Sequence, residues 1–461
     1  MSSIVIKSAK SGPHHPPGPQ VNWLTGTVSS FQQNPLQAMV DLWREHGDAV
    51  RFRFFANFYG YIFAHPDHLK HIFQDNNRNY TKNPHPSYQL LRPLGGEGLL
   101  TSDGDHWRQQ RRLAQPAFHR RRIADFGAMM TQATEAMLAR WAQMDGRIDL
   151  DAETTRLTLE IVGKALFSID LTGEADTVGQ AFTAVNHTIT QLNSLPFSNL
   201  SIKIPWLPSS RVLNKNIATL DEVVYGIIQQ RHDDDNTSED DLLGMLMAAR
   251  DEDTGEGMSD KQLRDEVMTL MLAGHETTAH TISWCFYLLS QNPEARAKLE
   301  RELGEVLNGR TPTIADLPHL TYTRMVIDES LRLYPVAYAI ARWCNEADEI
   351  GGYHIAPNSV VMICPYLTHR HTDFWQEPEK FDPERFTPER SADRPRYAYL
   401  PFGGGPRQCI GNTFALTEAT LILATIAQKV QLDLPAGHTV EIEPMITLHP
   451  KGGMPMLLET R

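Results

Sequence analysis

The stretch from Phe402 to Gly411, Phe-Gly-Gly-Gly-Pro-Arg-Gln-Cys-Ile-Gly, decides how the rest of this chain is interpreted. It places one cysteine, Cys409, among glycines and two residues after Arg407. The apolar run from Asn412 to Val430 predicts a helix, so Cys409 would face free backbone N–H groups at a helix N-terminus. Such groups and a nearby arginine favour the anionic, metal-ligating form of a thiol. The glycines allow the backbone to approach a large, flat group.

The spacing Phe-x-x-Gly-x-Arg-x-Cys-x-Gly-x-x-x-Ala, which closes at Ala415, is more specific than a cysteine beside a glycine-rich turn. It resembles the haem-binding loop of the cytochrome P-450 family. The resemblance implies haem b as the cofactor and Cys409 as its axial iron ligand. It also implies that Phe402, Arg407 and Gly411 contact the haem. A thiolate ligand favours O–O cleavage at haem iron, which is the chemistry of a monooxygenase.

Composition places the chain among ordinary globular proteins. Its 461 residues are 41% hydrophobic and 21% charged, and the formal net charge of −13 argues against nucleic acid as a partner. The cysteines have neither zinc-site spacing nor the pattern of a disulfide framework, so the chain is expected to be reduced and cytoplasmic. They are Cys285, Cys344, Cys364 and Cys409.

No membrane anchor is expected. Residues Met1 to Gln20 are polar and rich in proline, without the apolar core of a signal peptide. The most apolar long stretch, Glu266 to Ser290, carries His275, Glu276 and His280 in its middle, which argues against a membrane span. The resemblance therefore points to a soluble, prokaryotic type of family member.

Periodic segments predict a mainly α-helical fold with a small β portion. Helical patterns dominate residues 66–335 and 410–430, and a β-rich lobe is expected from about 45–65, 345–365 and 434–461. This organisation resembles the cytochrome P-450 fold, a helical body around a buried haem, so residues 1–461 are expected to form one haem domain. The chain ends about fifty residues after Cys409, so no fused reductase is expected.

A second motif, Ala-Gly-His-Glu-Thr-Thr, spans residues 273–278 inside the long apolar segment. The small Ala273 and Gly274 leave room beside a helix, and a threonine hydroxyl can bond the carbonyl one turn back and open the helix locally. The motif resembles the oxygen-activating helix of the family. The resemblance implies that Thr277 and Glu276 are catalytic, as an alcohol and an acid that relay protons.

The motif allows two other interpretations. On its own it would indicate a polar notch in a packed helix. A zinc site of the His-Glu-x-x-His type would need histidine at position 279, where Ala279 stands. His280 lies about 140° around the helix from His275, so the two cannot share a face, and the zinc interpretation is rejected.

Arginines and one acid elsewhere match further family positions. Glu329 and Arg332 lie on one helix face, and the resemblance joins them to Arg385 in a buried network behind the haem loop. Without that resemblance, Glu-x-x-Arg would be a surface ion pair of little energetic value. The cationic and N–H donors expected to bind the haem propionates are Trp107, Arg111, Arg342 and Arg407.

The segment Arg108 to Arg122 contains six arginines and no acid within an otherwise acidic chain. It is either a mixture of haem-binding and solvated residues or a docking patch for an acidic electron carrier. Family members receive electrons from a separate ferredoxin or flavodoxin-type partner. The residues proposed for docking are Arg108, Arg112, Arg120, Arg121 and Arg122.

Apolar residues at family pocket positions predict a lipophilic substrate, although each of them could equally be plain core. The pocket residues are Leu272, Ala273, Val336, Ala337, Ile340, Ile446 and Tyr61, with a lid over Leu195 to Leu207. The motifs look most like the fatty-acid hydroxylase branch, whose members bind the carboxylate with an arginine and a tyrosine. Tyr61 matches the tyrosine, whereas Asn57 stands in the arginine position, so Arg51 or Arg53 would have to serve.

The main hypothesis is thus a haem-thiolate monooxygenase that inserts one oxygen atom from O2 into a C–H bond, with a long-chain fatty acid as substrate. A hydroxylase of terpenoids or other lipophilic molecules is the alternative. A peroxide-driven relative and a non-catalytic haem-thiolate sensor are further alternatives. Both are disfavoured by the pair Glu276 and Thr277, because neither needs a proton relay.

Overall fold

Helices dominate the middle of the chain and return after Cys409. The computed structural model describes residues 14–168, 175–193, 202–233, 241–250 and 255–461. The α-helices are α1 Val28–Gln33, α2 Pro35–His46, α3 Pro66–Lys70, α4 Pro86–Gly95, α5 Gly104–Ala114, α6 Arg120–Asp125, α7 Gly127–Trp141, α8 Leu150–Phe167, α9 Ala175–Asn193, α10 Pro208–Asp233, α11 Leu242–Ala248, α12 Asp260–Gln291, α13 Pro293–Leu307, α14 Thr321–Leu333, α15 Pro365–Thr368, α16 Pro388–Ser391 and α17 Asn412–Lys429. Short 3₁₀ or π turns occupy His71–Asp75, Asn77–Asn79, Gln115–Phe118, Ile314–Asp316, Pro383–Phe386, Arg396–Ala398 and Gly405–Arg407.

The strands come mainly from the two ends of the chain, as the sequence predicts. They are β1 Ala49–Phe55, β2 Phe58–Phe63, β3 Tyr80–Thr81, β4 Arg147–Asp149, β5 Ile340–Cys344, β6 Asp348–Ile350, β7 Tyr353–Ile355, β8 Ser359–Ile363, β9 Val430–Asp433, β10 Ile442–Pro444, β11 Leu448–Pro450 and β12 Pro455–Thr460. One sheet has the order β1-β2-β8-β5-β3, a second has the order β4-β12-β9, and β6–β7 and β10–β11 form hairpins.

Helix α12 is the central element of the helical body. A capping box between Ser259 and Gln262 satisfies its first backbone N–H groups. Nearly every side chain from Leu263 to Leu289 is buried, because α8, α10, α14 and α17 surround the helix. A helix that is enclosed on all sides can present residues to the protein interior, which is where its Ala-Gly-His-Glu-Thr-Thr motif lies.

The five-stranded sheet contains the β1–β2 hairpin, which lies in the β-rich segment predicted at about 45–65 and whose turn residue Ala56 has a φ of 46°. One central strand, β5, was not predicted. Ala341 and Arg342 within it are weak strand formers, and pairing with β8 on one side and β3 on the other gives the segment its extended form. Within the described parts of the chain, no helix combines the length and the apolarity that crossing a bilayer requires.

Candidate active site

The cysteine loop is a tight cradle held by its own backbone. The Cys409 N–H donates to the Phe402 carbonyl at 3.0 Å. Gly405 has a φ of +64°, and a Cβ there would lie 1.8 Å from the Phe73 carbonyl oxygen, so no other residue fits this position. The loop ends at Gly411, where α17 begins. The predicted arrangement of a cysteine before a helix N-terminus is therefore present.

The Cys409 thiol differs from the other cysteines in its surroundings. Cys409 is exposed, whereas Cys285, Cys344 and Cys364 are buried. Burial by the surrounding protein atoms raises the pKa of the Cys409 thiol, and the Gly411 N–H and the Arg111 guanidinium oppose this effect. The Gly411 N–H thus favours the thiolate, as the sequence predicts, and the effect of burial is the larger one. A coordinated metal ion deprotonates such a thiol directly.

Ala273 interrupts the buried stretch of helix α12. This residue is exposed, although residues 267–272 before it and 275–276 after it are buried. Thr277 lies one turn further on the same face, and its hydroxyl donates to the Ala273 carbonyl at 2.7 Å. The helix is continuous through the motif, so the predicted local opening is not present as a break. Gly274 serves a different purpose, because a Cβ there would lie 3.1 Å from Val162 on α8.

Glu276 points away from Thr277. Its Oε2 atom accepts hydrogen bonds from the Asn186 amide on α9 at 2.9 Å and from the Thr447 hydroxyl at 3.4 Å. The backbone N–H of Ile446 donates to Asn186 Oδ1 at 3.4 Å. No hydrogen bond joins the Glu276 carboxylate to the Thr277 hydroxyl among the described residues. The acid of the predicted pair is therefore held by partners that the motif itself does not contain.

The predicted network behind the cysteine loop is assembled. Arg332 donates to both Glu329 oxygens, at 2.6 and 2.8 Å, and Arg385 donates to Glu329 at 3.3 Å. Arg332 also donates to the carbonyls of His369 and Pro378. Glu329 and Arg332 are fully buried. The additional hydrogen bonds offset the free-energy cost of removing these two charges from water.

Two of the predicted propionate residues lie in a buried cationic cluster, which we define as Lys82, Arg342 and Arg407. Arg407 stacks on the Trp107 ring at 3.8 Å and donates to Asp103 at 2.6 Å. Burial lowers the pKa of Lys82 well below its usual range, and the nearby Arg342 and Arg407 lower it further. Burial also lowers the pKa of Arg407 to about 10, an effect that Asp103 opposes.

Within the cationic cluster, Arg407 is ion-paired with Asp103, whereas the buried Arg342 has no ion pair among the described residues. Asp103 and Glu266 are the carboxylates that favour the charged form of Lys82. Burial raises the pKa of Glu266 to about 8, which favours the neutral form of this carboxyl group. Buried cations need anionic partners. Two propionates beside an exposed thiol and a small-residue helix face would supply them, so the residues present fit a haem.

Lys82 was missed by the sequence interpretation, and so was His85 beside it. Burial and Arg342 lower the pKa of His85 to about 3. Neither residue belongs to a recognisable motif, and their role depends on tertiary neighbours. Arg111 on α5 contacts the cysteine loop, where its guanidinium donates to the Gln408 carbonyl at 2.9 Å.

The predicted pocket residues divide into three groups. Leu272 and Val336 are buried in the main core, and the partly exposed residues are Ala337, Ile340 and Ile446. Tyr61 does not lie at a channel mouth. It is fully buried in the sheet core, and its hydroxyl accepts from the Ala356 N–H at 3.1 Å. The predicted lid is only partly described, because residues 194–201 lie outside the described residues.

The arginine and tyrosine pairing predicted for the first sheet involves a different tyrosine. Arg53 donates to the Tyr59 hydroxyl at 2.7 Å, and the Arg51 guanidinium lies 3.9 Å from the Tyr59 ring centre. Asn57 is an exposed residue between the two strands. The strand register places Tyr59 opposite Arg53 and Tyr61 opposite Arg51, and the Tyr61 side chain lies in the sheet core.

Part of the predicted docking patch surrounds the cysteine loop. Helix α6 packs against α17, and Phe118 lies 3.7 Å from a Cβ built at Gly411. Arg120 and Arg121 on α6 are exposed. Arg108 forms an exposed ion pair with Asp105. The remaining arginines are the exposed Arg112 and the half-buried Arg122.

Comparisons with known proteins agree with this site. The family model described as cytochrome P450 matches residues 16–456. Cyclooctatin synthase of Streptomyces melanosporofaciens is 37% identical to the chain over 95% of it and 94% of the relative. Pentalenene oxygenase of Streptomyces avermitilis is 34% identical over 93% of the chain and 94% of the relative.

A solved structure gives the same result for the fold. The crystal structure of the cytochrome P450DA heme domain superposes with a TM-score of 0.87 at 28% identity and covers 97% of this chain and 98% of that domain. The family match spans nearly the whole chain, and the fold and site geometry are consistent with it. The chain therefore belongs to the cytochrome P450 family, monooxygenases that contain haem b bound through a cysteine thiolate.

Proposed function

We propose that this protein hydroxylates a terpenoid, using O2 and electrons from a separate redox partner. The observation that carries this proposal is the near full-length similarity to cyclooctatin synthase and pentalenene oxygenase. Both are named for terpenoid chemistry. The fatty-acid assignment, which rested on motif resemblance, receives no support from these relatives. The buried position of Tyr61 further weakens it, because this side chain is not available to a carboxylate.

Cys409 is the proposed axial ligand, held in place by its N–H bond to Phe402 and by the neighbouring Gly411 N–H. When bound, the haem supplies oxygen activation at an iron centre with an electron-donating thiolate ligand. The cationic cluster of Lys82, Arg342 and Arg407 would bind the propionates through charge-assisted hydrogen bonds. The network of Glu329, Arg332 and Arg385 would hold the loop in position from behind.

Thr277 and Glu276 divide the handling of protons. The Thr277 hydroxyl donates a hydrogen bond to the Ala273 carbonyl. The lone pairs of its oxygen therefore remain available on the helix face where Ala273 is exposed. The Glu276 carboxylate, which can accept a proton, points away from Thr277 and is fixed by Asn186 and Thr447. A rotation of the Glu276 side chain or one bridging water would join the two groups.

The redox partner is proposed to dock beside the cysteine loop, on the exposed Arg120 and Arg121. An acidic ferredoxin or flavodoxin would be attracted to this patch on an otherwise acidic protein. Replacing both arginines by glutamate should slow reduction by a plant-type ferredoxin and flatten the dependence of that rate on salt. An unchanged rate and salt dependence would place docking elsewhere.

The test of the substrate class is a spectral titration of the ferric protein with polycyclic terpenes, and in parallel with fatty acids of increasing length. Terpenes that displace the iron-bound water shift the spin state, and the same terpenes should yield hydroxylated products with a surrogate ferredoxin and its reductase. A response to fatty acids alone would restore the fatty-acid assignment. Tight binding without product would instead indicate a ligand sensor.

A further inference from the structure

Helix α12 carries a second titratable residue, His280, one turn after Glu276. The two positions are four residues apart and share a face of the helix. His280 is 7% exposed at its side chain, and its Nε2 atom lies 3.8 Å from Asp151 Oδ1 at the start of α8. Asp151 also accepts a hydrogen bond from Ser283 at 3.0 Å. The family motif ends at Thr278, so it does not account for His280.

The β10–β11 hairpin runs alongside this face with a matching repeat. Thr447 lies beside Glu276, and His449, two residues later, stacks on His280 with ring centres 5.3 Å apart. Two residues of a strand span about 6.7 Å and four residues of a helix span about 6 Å, so the contacts stay in register. The next helical turn also contacts the hairpin, because the Trp284 indole N–H donates to the Leu448 carbonyl at 3.1 Å.

The hairpin extends the polar line to the protein surface. Glu443 on β10 is the cross-strand partner of His449, and its Oε2 atom lies 3.2 Å from His449 Nε2. Side-chain exposure decreases inward along the line, from 38% at Glu443 to 13% at His449 and 7% at His280. Glu276 at the inner end is buried as well. A graded line of titratable groups is the arrangement that a route for protons from solvent requires.

Each imidazole in the line has one engaged and one unused nitrogen. His449 Nε2 faces Glu443 and His280 Nε2 faces Asp151, while the Nδ1 atoms of both rings have no hydrogen-bond partner among the described residues. A neutral imidazole can accept a proton on one nitrogen and release the proton of the other. One water between the stacked rings would connect the unused atoms.

We propose that Glu443, His449 and His280 form a proton-supply line that reloads Glu276 from solvent. This inference rests on the proposed function. A proton enters at the Glu443 carboxylate and passes to His449 Nε2 as the His449 Nδ1 proton moves on to His280. His280 in turn gives a proton to the Glu276 carboxylate, so that one proton has moved from solvent to Glu276 and each imidazole is left in its opposite tautomer. Proton exchange with water returns both rings to their first tautomer before the next transfer. The other charged groups that face His280 are Asp151 from α8 and His275 on α12.

Residue-specific titration tests the outer half of the line and needs no substrate. Hydrogen exchange at the C2 position of each histidine, followed by mass spectrometry across pH in the haem-loaded protein, reports how His449 responds to its neighbour Glu443. Glu443→Gln should change the exchange profile of His449, because it removes the carboxylate that lies 3.2 Å from His449 Nε2. Glu441→Gln is the matched control, since Glu441 pairs with Lys451 at the exposed end of the same hairpin. An unchanged His449 titration in Glu443→Gln would overturn the proposal.

Turnover tests the inner half, with the terpene that gives the largest spin-state shift. His280→Asn should lower product per reductant several-fold, raise peroxide release and increase the solvent deuterium isotope effect, while ferric binding of the terpene is unchanged. Adding His449→Gln should cause no further loss, because both residues lie on one line. Full coupling in haem-loaded His280→Asn would refute the line. If His280→Asn does not fold, the more exposed His449→Gln carries the same test.

The two halves separate this inference from the proposed function. If the native protein gives no product from any terpene, the proposed function fails and the histidine titration still decides whether Glu443 controls His449. If the native protein is well coupled and the histidine variants match it, the proton-supply line alone is wrong.

Discussion

The Asn186 amide donates a 2.9 Å hydrogen bond to the Glu276 carboxylate, and through this bond α9 fixes the acid of the oxygen-activating motif. The contact joins residues that are ninety positions apart in the chain. Both side chains are buried, so neither can replace the other's hydrogen bond with bulk water. The position of Glu276 is therefore determined by α9 and by the Thr447 segment as much as by α12.

Replacing Asn186 by alanine should release the Glu276 side chain and impair its proton transfer. We expect product per reductant to fall several-fold, with terpene binding to the ferric protein unchanged. Gln191→Ala on the exposed face of α9 is the matched control. Coupling equal to the native protein in Asn186→Ala would show that the bond does not position the acid.

Thr277→Ala should uncouple product formation from reductant consumption more strongly than Asn186→Ala, because it removes the hydroxyl beside the exposed Ala273. Positioned proton transfer contributes about 10²–10⁴-fold to rates, so product per reductant should drop by roughly tenfold or more, with a matching rise in peroxide. Thr281→Ala removes an equivalent hydroxyl one turn away, bonded at 2.7 Å to the Thr277 carbonyl, and should have little effect. Equal coupling in both variants would exclude a role for Thr277 in proton handling.

Glu329→Ala leaves two buried guanidinium groups without their shared carboxylate. Breaking a buried ion pair in this way costs roughly 3–5 kcal/mol, so the protein should be recovered with little or no haem. The measurement is haem content per chain after purification. Glu384→Gln removes the nearby exposed pair with Lys298 and should leave haem content unchanged. A stable, haem-loaded Glu329→Ala protein would contradict the structural role of the network.

Glu418 on α17 gives a prediction of pH dependence. It is fully buried, and burial raises its pKa from 4.5 to about 8, an effect that the Thr278 hydroxyl opposes. Neither carboxylate oxygen has a hydrogen-bond partner with regular geometry among the described residues. Because the folded pKa lies above the unfolded one, the contribution of Glu418 to stability is complete below pH 4.5 and is lost progressively as pH rises toward 8.

Glu418→Gln should therefore raise the thermal unfolding temperature by a few degrees at pH 8 and by little near pH 5. The comparison is made by calorimetry at both pH values with the haem-loaded protein. Glu441→Gln, an exposed change of the same chemistry, should not reproduce this difference between the two pH values. A stabilisation that is equal at both pH values would show that the charge of Glu418 is not its cause.

The cysteine loop, α12 and the Glu329 network were predictable because each is encoded by spacing within a short segment. The residues that the sequence did not identify depend on contacts between distant segments. Lys82 joins Arg342 and Arg407 only through folding, and the Glu276 carboxylate is directed by Asn186. β5 is extended because of its two neighbouring strands. The motifs also favoured a fatty-acid substrate, which the relatives do not support, because motifs shared across a family carry little information about the pocket.

The central claim is that Cys409 ligates a haem in this fold. The most direct test is the absorption spectrum of the purified, haem-loaded protein after reduction under carbon monoxide. The account predicts the strongly red-shifted Soret band of a thiolate–CO complex in the native protein and its loss in Cys409→Ser. A folded, haem-loaded native protein without that band, or a Cys409→Ser variant that retains it, would contradict the account.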